Sequence, residues 1–292
     1  MILVTGATGN VGAELVAQLA ERNEDDEPVR AMTRRPRAVR FPAGVEVVYG
    51  DFDDPASIDA AFRDVDRAFL MSAQMPGSER RPTHDLRLVE AARRAGVGRV
   101  AKLSVFDGGA GDNPIGEWHR QAEAAVVESG MDWTLLRPGR FMSNALQWAP
   151  MIRRGDTVAV PFATWPSVPI DPADIAAVAV VALTAEGHRN VAHQLCGPEV
   201  LTPADELRIL AETLGRPLEL VEPSVEAVKA GMLKAGTAEP VVDAIVARTL
   251  SDKGAEAEVV PTVGELLGRP PATFASWAKT HAEQFSGGSD HH

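Results

Sequence analysis

The first twelve residues of the chain, MILVTGATGNVG, constrain its fold more than any other stretch. A short apolar run from Ile2 to Thr5 is followed by Gly6, Gly9 and Gly12. An apolar stripe at helical spacing comes next, formed by Val11, Leu15, Val16 and Leu19. A strand, a glycine turn and a helix in this order bring free backbone N–H groups and the positive end of a helix dipole to one point, where a pyrophosphate can bind. The sequence therefore predicts a dinucleotide site, although a glycine turn needed only for packing would look the same.

The glycine spacing, G-x-x-G-x-x-G, differs from the G-x-G-x-x-G of the dehydrogenase fingerprint, so the prediction depends on the flanking strand and helix. We expect Gly6 to permit a tight turn, Gly9 to let the backbone approach phosphate, and Gly12 to let the helix pack on the strand. The candidate phosphate-binding residues are Gly6, Thr8, Gly9, Asn10, Val11 and Gly12.

Charge and cysteine content exclude several classes of protein. The 292 residues carry a formal net charge of −12, which disfavours a nucleic-acid surface because that role needs a basic footprint. Cys196 is the single cysteine, so no disulfide can form within the chain, and no Cys/His cluster has metal-ligand spacing. Met1 begins directly on a predicted core strand, without a signal peptide, and no apolar run approaches the roughly 20 residues of a membrane span. We therefore expect a cytoplasmic protein that binds no metal.

Strand and helix signals alternate over the first half of the chain. After the first strand, further strands are predicted at 29–33, 45–49, 68–71, 100–105 and 133–136, with helices at 83–95 and 117–129. Repeated β-α-β units force parallel pairing, so the predicted fold is α/β, a doubly wound parallel Rossmann sheet with a small, mostly helical C-terminal lobe. We assign 1–150 to the NAD(P)-binding Rossmann domain, to which a helix and strand at 170–200 return. Residues 151–285 form the smaller substrate lobe, and 286–292 a disordered tail.

Segments at the carboxyl ends of the predicted strands complete the cofactor site. Arg34 and Arg35 follow the second strand, where an acidic residue would select NAD and arginine accommodates a 2′-phosphate. Two guanidinium groups can clamp a phosphate dianion, so we expect NADP(H) in preference to NAD(H), with two solvated arginines as the alternative. Asp51 and Phe52 follow the third strand, where an aspartate can accept from the adenine amino group. The remaining cofactor candidates, after later strands, are Ser72, Ala73, Gln74 and Pro138.

The chain resembles the NmrA-like family of atypical short-chain dehydrogenases/reductases. The resemblance covers essentially the whole chain and rests on TGATGNVG at 5–12, the Arg34 pair, YGDFDDP at 49–55, WTLLRPGRFMSN at 133–144, DPADIAAVA at 171–179, LCGPEVLT at 195–202 and LLGRPPATFASWA at 266–278. It implies a Rossmann domain, a small C-terminal lobe and a cleft between them. The family includes NADPH-dependent quinone, dye and isoflavone-type reductases, and also dinucleotide-binding regulators without turnover.

One departure from the family pattern bears on mechanism. The typical short-chain enzyme takes its proton from the tyrosine of a Tyr-x-x-x-Lys pair, but the single tyrosine here, Tyr49, has Asp53 four residues on. The helix expected to carry the pair contains His119 and, one turn later, Glu123. An imidazole titrates near neutral pH, so His119 is the leading candidate for the proton donor, with Glu123 holding its tautomer. A plain surface pair is the alternative.

Ser104 is the second catalytic candidate. It ends the fifth strand and matches the serine that polarises a carbonyl in related enzymes, although a serine there may equally cap a turn. Lys102 shares its strand face, and we expect it to be a strand residue that extends its amine to solvent.

An apolar, aromatic slot for a flat substrate is expected in loops after the strands and in the proline-rich region, with lobe packing as the alternative. Its candidates are Phe106, Trp118, Phe141 and Met142, with Trp148, Phe162 and Trp165 as further members. The sequence thus favours an NADP(H)-dependent reductase of a planar, conjugated small molecule of the quinone, imine or dye type. A non-catalytic NADP-sensing regulatory protein is the alternative, and an isomerase or epimerase is third. We expect a small-molecule substrate, no direct nucleic-acid or membrane partner, and leave open a homodimer or a partner protein.

Overall fold

The computed structural model describes residues 1–22, 27–72, 81–106, 114–250 and 257–286, without the side chain at position 248. The predicted tail therefore lies, beyond residue 286, outside the described residues. The chain divides into two compact units. Unit 1 comprises Met1–Pro138, Pro172–Leu195 and Glu265–Gly268, and unit 2 comprises the described residues of Gly139–Asp171, Cys196–Gly264 and Arg269–His292.

The strands are β1 Ile2–Val4, β2 Val29–Thr33, β3 Glu46–Tyr49, β4 Arg67–Leu70, β5 Arg99–Leu103, β6 Asp132–Pro138, β7 Thr157–Ala159, β8 Val191–Leu195 and β9 Glu219–Val221. The helices are α1 Asn10–Arg22, α2 Pro55–Ala61, α3 Thr83–Ala95, α4 Pro114–Val127, α5 Ala149–Arg154, α6 Pro172–Thr184, α7 Pro203–Leu214, α8 Val225–Lys234, α9 Glu239–Leu250, α10 Thr262–Leu267, α11 Phe274–Thr280 and α12 Ala282–Phe285. A 3-10 helix, Met142–Trp148, precedes α5.

Unit 1 contains a seven-stranded sheet in the order β3-β2-β1-β4-β5-β6-β8. Every neighbouring pair is parallel. From β1 the sheet extends in both directions, with β2 and β3 on one side and β4, β5, β6 and β8 on the other. This is the arrangement of a doubly wound fold, in which ligands bind at the carboxyl ends of the strands where the order changes direction. The predicted fold class, an α/β Rossmann sheet with a mostly helical C-terminal part, is confirmed.

Helices cover both faces of this sheet. On one face, α2, α3 and α4 enclose an apolar core that includes Ile58, Leu88 and Val126. On the other face, α1 packs against α6 and α6 packs against β5. Helix α6 is apolar on nearly all sides, which suits a helix buried between a sheet and a second helix. The apolar stripe predicted for α1 is buried as expected.

Unit 2 is built around a separate core. Its small sheet pairs β7 with β9 in parallel. Large buried side chains fill the space against the 3-10 helix, α5, α7, α11 and α12, and they include Trp148, Trp277 and Phe274. Over the described residues, no helix combines the length and apolarity needed to cross a membrane.

Candidate functional site

The glycine turn between β1 and α1 is shaped by close backbone contacts. Gly6 has a φ of 63°, a left-handed conformation that favours glycine, and its carbonyl accepts from the N–H of Gly9 at 2.9 Å. A Cβ on Gly12 would lie only 2.2 Å from the Gly6 oxygen, so glycine alone lets the helix pack there. A Cβ on Gly9 would lie 3.3 Å from the same oxygen, a contact that a small shift can relieve. Gly9 therefore presents backbone without a side chain to a ligand at this turn, and such a surface fits a dinucleotide pyrophosphate.

The end of β1 is tied to the end of β4 beside this turn. The Thr5 hydroxyl accepts from the N–H of Met71 at 2.8 Å and lies 2.9 Å from the Met71 carbonyl oxygen. The Met71 side chain packs against Gly6, and a Cβ built on Gly6 would lie 2.5 Å from the Met71 sulfur. Ser72 follows and is half-buried, whereas the predicted contacts at Ala73 and Gln74 lie outside the described residues.

Arg34 and Arg35 both stand exposed immediately after β2. The N–H of Arg35 donates to the Thr33 hydroxyl at 3.2 Å, which fixes the backbone of the turn. Among the described residues, neither guanidinium has a hydrogen-bond or ion-pair partner, and no acidic residue occurs between positions 33 and 45. Two free cations at this strand end are suited to a phosphate and would not select the 2′-OH of NAD.

The loop after β3 is held from two sides. The N–H of Asp51 donates to the Ser57 hydroxyl at 2.9 Å. The Phe52 ring lies 5.4 Å from the ring of His84, and its carbonyl accepts from Arg87 at 2.7 Å. These contacts fix the half-buried residues Asp51 and Phe52, and their contact with an adenine stays a prediction. Pro138, the last residue of β6, is buried and pairs in register with Leu195.

Ser104, just past β5, belongs to a buried three-residue network. Its hydroxyl donates to Glu123 Oε1 at 2.5 Å, and Arg137 donates to both oxygens of the same carboxylate, at 3.0 and 2.6 Å. The single hydroxyl hydrogen is therefore used, and Ser104 can offer only lone pairs to a ligand. The expected role of Ser104 as a donor that polarises a carbonyl does not fit this arrangement.

His119 lies on α4 with its Nδ1 atom buried and without a hydrogen-bond partner among the described residues. Burial, assisted by the positive charge of Lys102, lowers the pKa of His119 to about 4, while Asp85 and Glu123 oppose that shift. Both carboxylate oxygens of Glu123 bind Arg137, so Glu123 does not orient the imidazole. The predictions that His119 titrates near neutral pH and that Glu123 holds its tautomer are therefore wrong.

Lys102 has a buried partner that its sequence context did not predict. Its Nζ lies 3.1 Å from Asp85 Oδ1 and donates to the Leu103 carbonyl at 2.6 Å. Both charged side chains are almost fully buried, so the expectation that Lys102 extends to solvent is wrong. A lysine in a strand predicted to be buried should have signalled an acidic partner, because a buried charge needs one.

The predicted substrate residues fall in both units. In unit 1, Phe106 is half-buried and Trp118 is 3 % exposed. In unit 2, Phe141 is half-buried and forms a β-bridge with Ile170, while Met142 is 1 % exposed in the core. The contact of these residues with a substrate stays a prediction.

Unit 2 has an open cavity of about 510 Å³, lined by Arg140, Asn144, Gln147, Trp148, Pro161, Phe162, Trp165, Pro203, Pro223, Ala227, Val228, Gly231, Met232, Ile245 and Thr249. Its wall is mainly apolar, with few polar groups, as in small-molecule sites. Arg140 donates to the fully buried Glu206, whose pKa is raised by burial against the opposing charge of Arg140. Phe162 has a φ of 52°, an uncommon conformation for an aromatic residue. Among the described residues, no group of three or more His, Cys, Asp or Glu could hold a metal.

A parallel doubly wound sheet with this glycine turn defines a Rossmann-type dinucleotide-binding protein. A family model described as NAD(P)H-binding matches residues 6–186. The chain belongs to this NAD(P)H-binding family, within the NmrA-like type of atypical short-chain dehydrogenases/reductases. The predicted family and an NAD(P)H cofactor are thereby confirmed.

Similar proteins are named as reductases. The chain is 42% identical over 98% of its length, and 99% of the relative, to a (4-alkanoyl-5-oxo-2,5-dihydrofuran-3-yl)methyl phosphate reductase of Streptomyces griseus. It is 37% identical, with the same coverage, to an NAD(P)H azoreductase of Xenophilus azovorans. The structure of the NADPH-dependent quinone oxidoreductase QOR2 of Escherichia coli with NADPH has a TM-score of 0.79 at 24% identity, covering 97% of this chain and all of that one. This last likeness concerns the fold.

Proposed function

We propose that this chain is an NADP(H)-dependent reductase of a planar, conjugated small molecule of the quinone, imine or dye type. The observation that carries the proposal is the free pair Arg34 and Arg35 at the end of β2, beside a glycine turn preformed for a pyrophosphate. The reductases among its relatives, which are similar over nearly their whole length, support the reaction class.

The residues present fit the cofactor part by part. Gly9 and the first turn of α1 hold the pyrophosphate, and Arg34 and Arg35 hold the 2′-phosphate. Asp51 and Phe52 contact the adenine. When bound, NADPH supplies a hydride to the acceptor.

Proton supply distinguishes this protein from a tyrosine-dependent enzyme. Tyr49 is 49 % exposed at the end of β3, and Asp53 stands where a lysine would be needed. Because its pKa is lowered to about 4, His119 is neutral at pH 7 and has no imidazolium proton to donate. Water therefore supplies the proton, which suits quinones and conjugated imines because they need little proton donation during reduction.

A single cysteine, buried in unit 2, is consistent with the reducing conditions of the cytoplasm.

The experiment is an assay of NADPH oxidation with a panel of quinones, conjugated imines and azo dyes, paired with direct titration of NADPH binding. Oxidation with at least one class, dependent on enzyme concentration, supports the proposal. NADPH binding with no oxidation by any acceptor would instead favour the alternative, a non-catalytic NADP-sensing protein. The absence of the Tyr-x-x-x-Lys pair is the observation that keeps this alternative in view.

A further inference from the structure

Two side chains of α3 hold the loop that follows β3. His84 Nε2 lies 2.9 Å from Asp53 Oδ1, and Arg87 Nη1 lies 3.2 Å from the same oxygen. Arg87 Nη1 also donates to the Phe52 carbonyl at 2.7 Å, and the rings of Phe52 and His84 lie 5.4 Å apart. His84 and Arg87 are three residues apart on the helix, so they are neighbours on one face of it. Their contacts converge on two consecutive residues of the loop.

The same contacts extend from α3 to the Asp51 carboxylate. The N–H of Asp53 donates to Asp51 Oδ1 at 3.0 Å, so the residue that α3 holds also orients this carboxylate. Asp51 Oδ2 and the Phe52 N–H have no hydrogen-bond partner among the described residues. They are an acceptor and a donor on adjacent residues. The amino group and N1 of adenine offer the complementary donor and acceptor.

Most of these contacts lie at the surface, and this bears on what they do. The side chain of Asp53 is 77 % exposed and that of Arg87 is 35 % exposed. Exposed ion pairs contribute little to the stability of a fold. Their removal should therefore leave the Rossmann unit folded and release the loop from α3.

We infer that His84 and Arg87 are positioning residues for the adenine of the dinucleotide. From α3 they hold Phe52 and Asp53, so that the Asp51 carboxylate and the Phe52 N–H face the amino edge of the base. This inference rests on the proposed function, in which NADPH binds with its adenine at this loop, but it can be tested without turnover.

The test compares two cofactors that differ only in the base. Deamino-NADPH carries hypoxanthine, in which a carbonyl oxygen replaces the amino group and N1 bears a hydrogen, so neither hydrogen bond to the loop can form. The Kd of each cofactor for the full chain is measured by titration of nicotinamide fluorescence. We expect the wild type to bind NADPH about tenfold more tightly than deamino-NADPH. Equal affinities would overturn the inference.

Variants of α3 separate positioning from a general loss of structure. His84→Ala and Arg87→Ala should each reduce the preference for NADPH to about threefold or less, with little change in the Kd of deamino-NADPH. Arg87→Lys keeps a donor for the Phe52 carbonyl and should recover part of the preference. Equal weakening of both cofactors would show a merely structural role and contradict the inference, as would an unchanged preference in both alanine variants.

Arg94→Ala is the matched control. Arg94 lies two turns further along α3 and binds Asp59 and Glu90 instead of the loop. Its variant should keep the base preference within about twofold of the wild type, because only exposed ion pairs are lost. A loss of preference equal to that in Arg87→Ala would contradict the inference.

The two proposals fail in different ways. A base preference that depends on His84 and Arg87, without NADPH oxidation by any acceptor, would uphold the inference and refute the reductase function. NADPH oxidation together with an unchanged base preference in both alanine variants would do the reverse.

Discussion

The hydroxyl of Ser104 donates to Glu123 across 2.5 Å, and this bond decides how the serine can act. Glu123 also binds the Arg137 guanidinium through both oxygens, so each oxygen of its carboxylate is already hydrogen-bonded. A serine in this state accepts hydrogen bonds and does not donate them to a carbonyl. Within the Rossmann unit, the network therefore orients Ser104 rather than activating it.

The first prediction concerns the stability of this network. Glu123→Ala removes the partner of the half-buried Arg137 and of the buried Ser104 hydroxyl, and should lower the free energy of unfolding by about 2 to 3 kcal/mol. Glu117→Ala, on the same helix, breaks only exposed contacts with Arg120 and Gln121 and should cost far less. Urea denaturation of both variants checks this, and equal losses would show that the buried network adds nothing.

The glycine turn separates folding from binding. Gly9→Ala should keep the fold, because its Cβ needs only a small shift, but should weaken NADPH binding severely by filling the phosphate space. Gly12→Ala should destabilise the fold itself, since its Cβ would overlap the Gly6 carbonyl. Gly155→Ala is the control, with nothing within 4 Å of its Cβ. Thermal melts and cofactor titrations distinguish the three; unchanged NADPH affinity in Gly9→Ala would place the phosphate elsewhere.

Cofactor selection is the third prediction. Replacing Arg34 and Arg35 together by alanine removes two charged donors from the 2′-phosphate and should raise the Kd of NADPH about 10- to 100-fold. The Kd of NADH should change little, because NADH lacks that phosphate. Arg40→Ala removes an exposed charge from the same segment and serves as the control. The assignment fails if both cofactors weaken equally or if the wild type prefers NADH.

The fourth prediction is a pH dependence of stability from His119. Its pKa is lowered from 6.5 to about 4 in the fold, so the unfolded chain binds the extra proton first as pH falls. The stability linked to this group is fully present above pH 6.5 and is lost as pH falls toward 4. At pH 5 the loss amounts to about 2 kcal/mol.

Comparing wild type with His119→Gln isolates this contribution. The difference in unfolding free energy between the two proteins should shift by that amount from pH 7 to pH 5, and should be constant between pH 7 and 8. A constant difference down to pH 5 would mean that the imidazole titrates normally and is not held neutral by burial.

Much of the sheet could be predicted because its signals are local. Strand β2 and helix α3 occur at the predicted residues, 29–33 and 83–95. A short strand-length segment, VRAMT, and a helical period ending at Gly96, which has a φ of 74°, were sufficient. Strands β7 and β9 were missed because each has three residues and their pairing joins positions 62 residues apart, Thr157 with Glu219.

The candidate site likewise contains some residues that the sequence predicts and others that it does not. The glycine turn and the arginine pair are continuous motifs with a known chemistry, so their positions could be read from the sequence. The Lys102–Asp85 pair depends on how α3 packs against β5, and the lowered pKa of His119 depends on burial that no spacing reveals. The cavity of unit 2 likewise draws on several helices and loops, from Arg140 to Thr249.

Single-turnover oxidation of bound NADPH tests the central claim most directly. The enzyme, loaded with one equivalent of NADPH, is mixed with excess menadione, and nicotinamide absorbance is followed. We predict complete loss of the NADPH signal in one enzyme-dependent phase, slower with NADPH deuterated at the transferred position. An unchanged signal with NADPH bound, first with menadione and then with a conjugated imine and an azo dye in its place, would contradict a reductase function and leave a dinucleotide sensor.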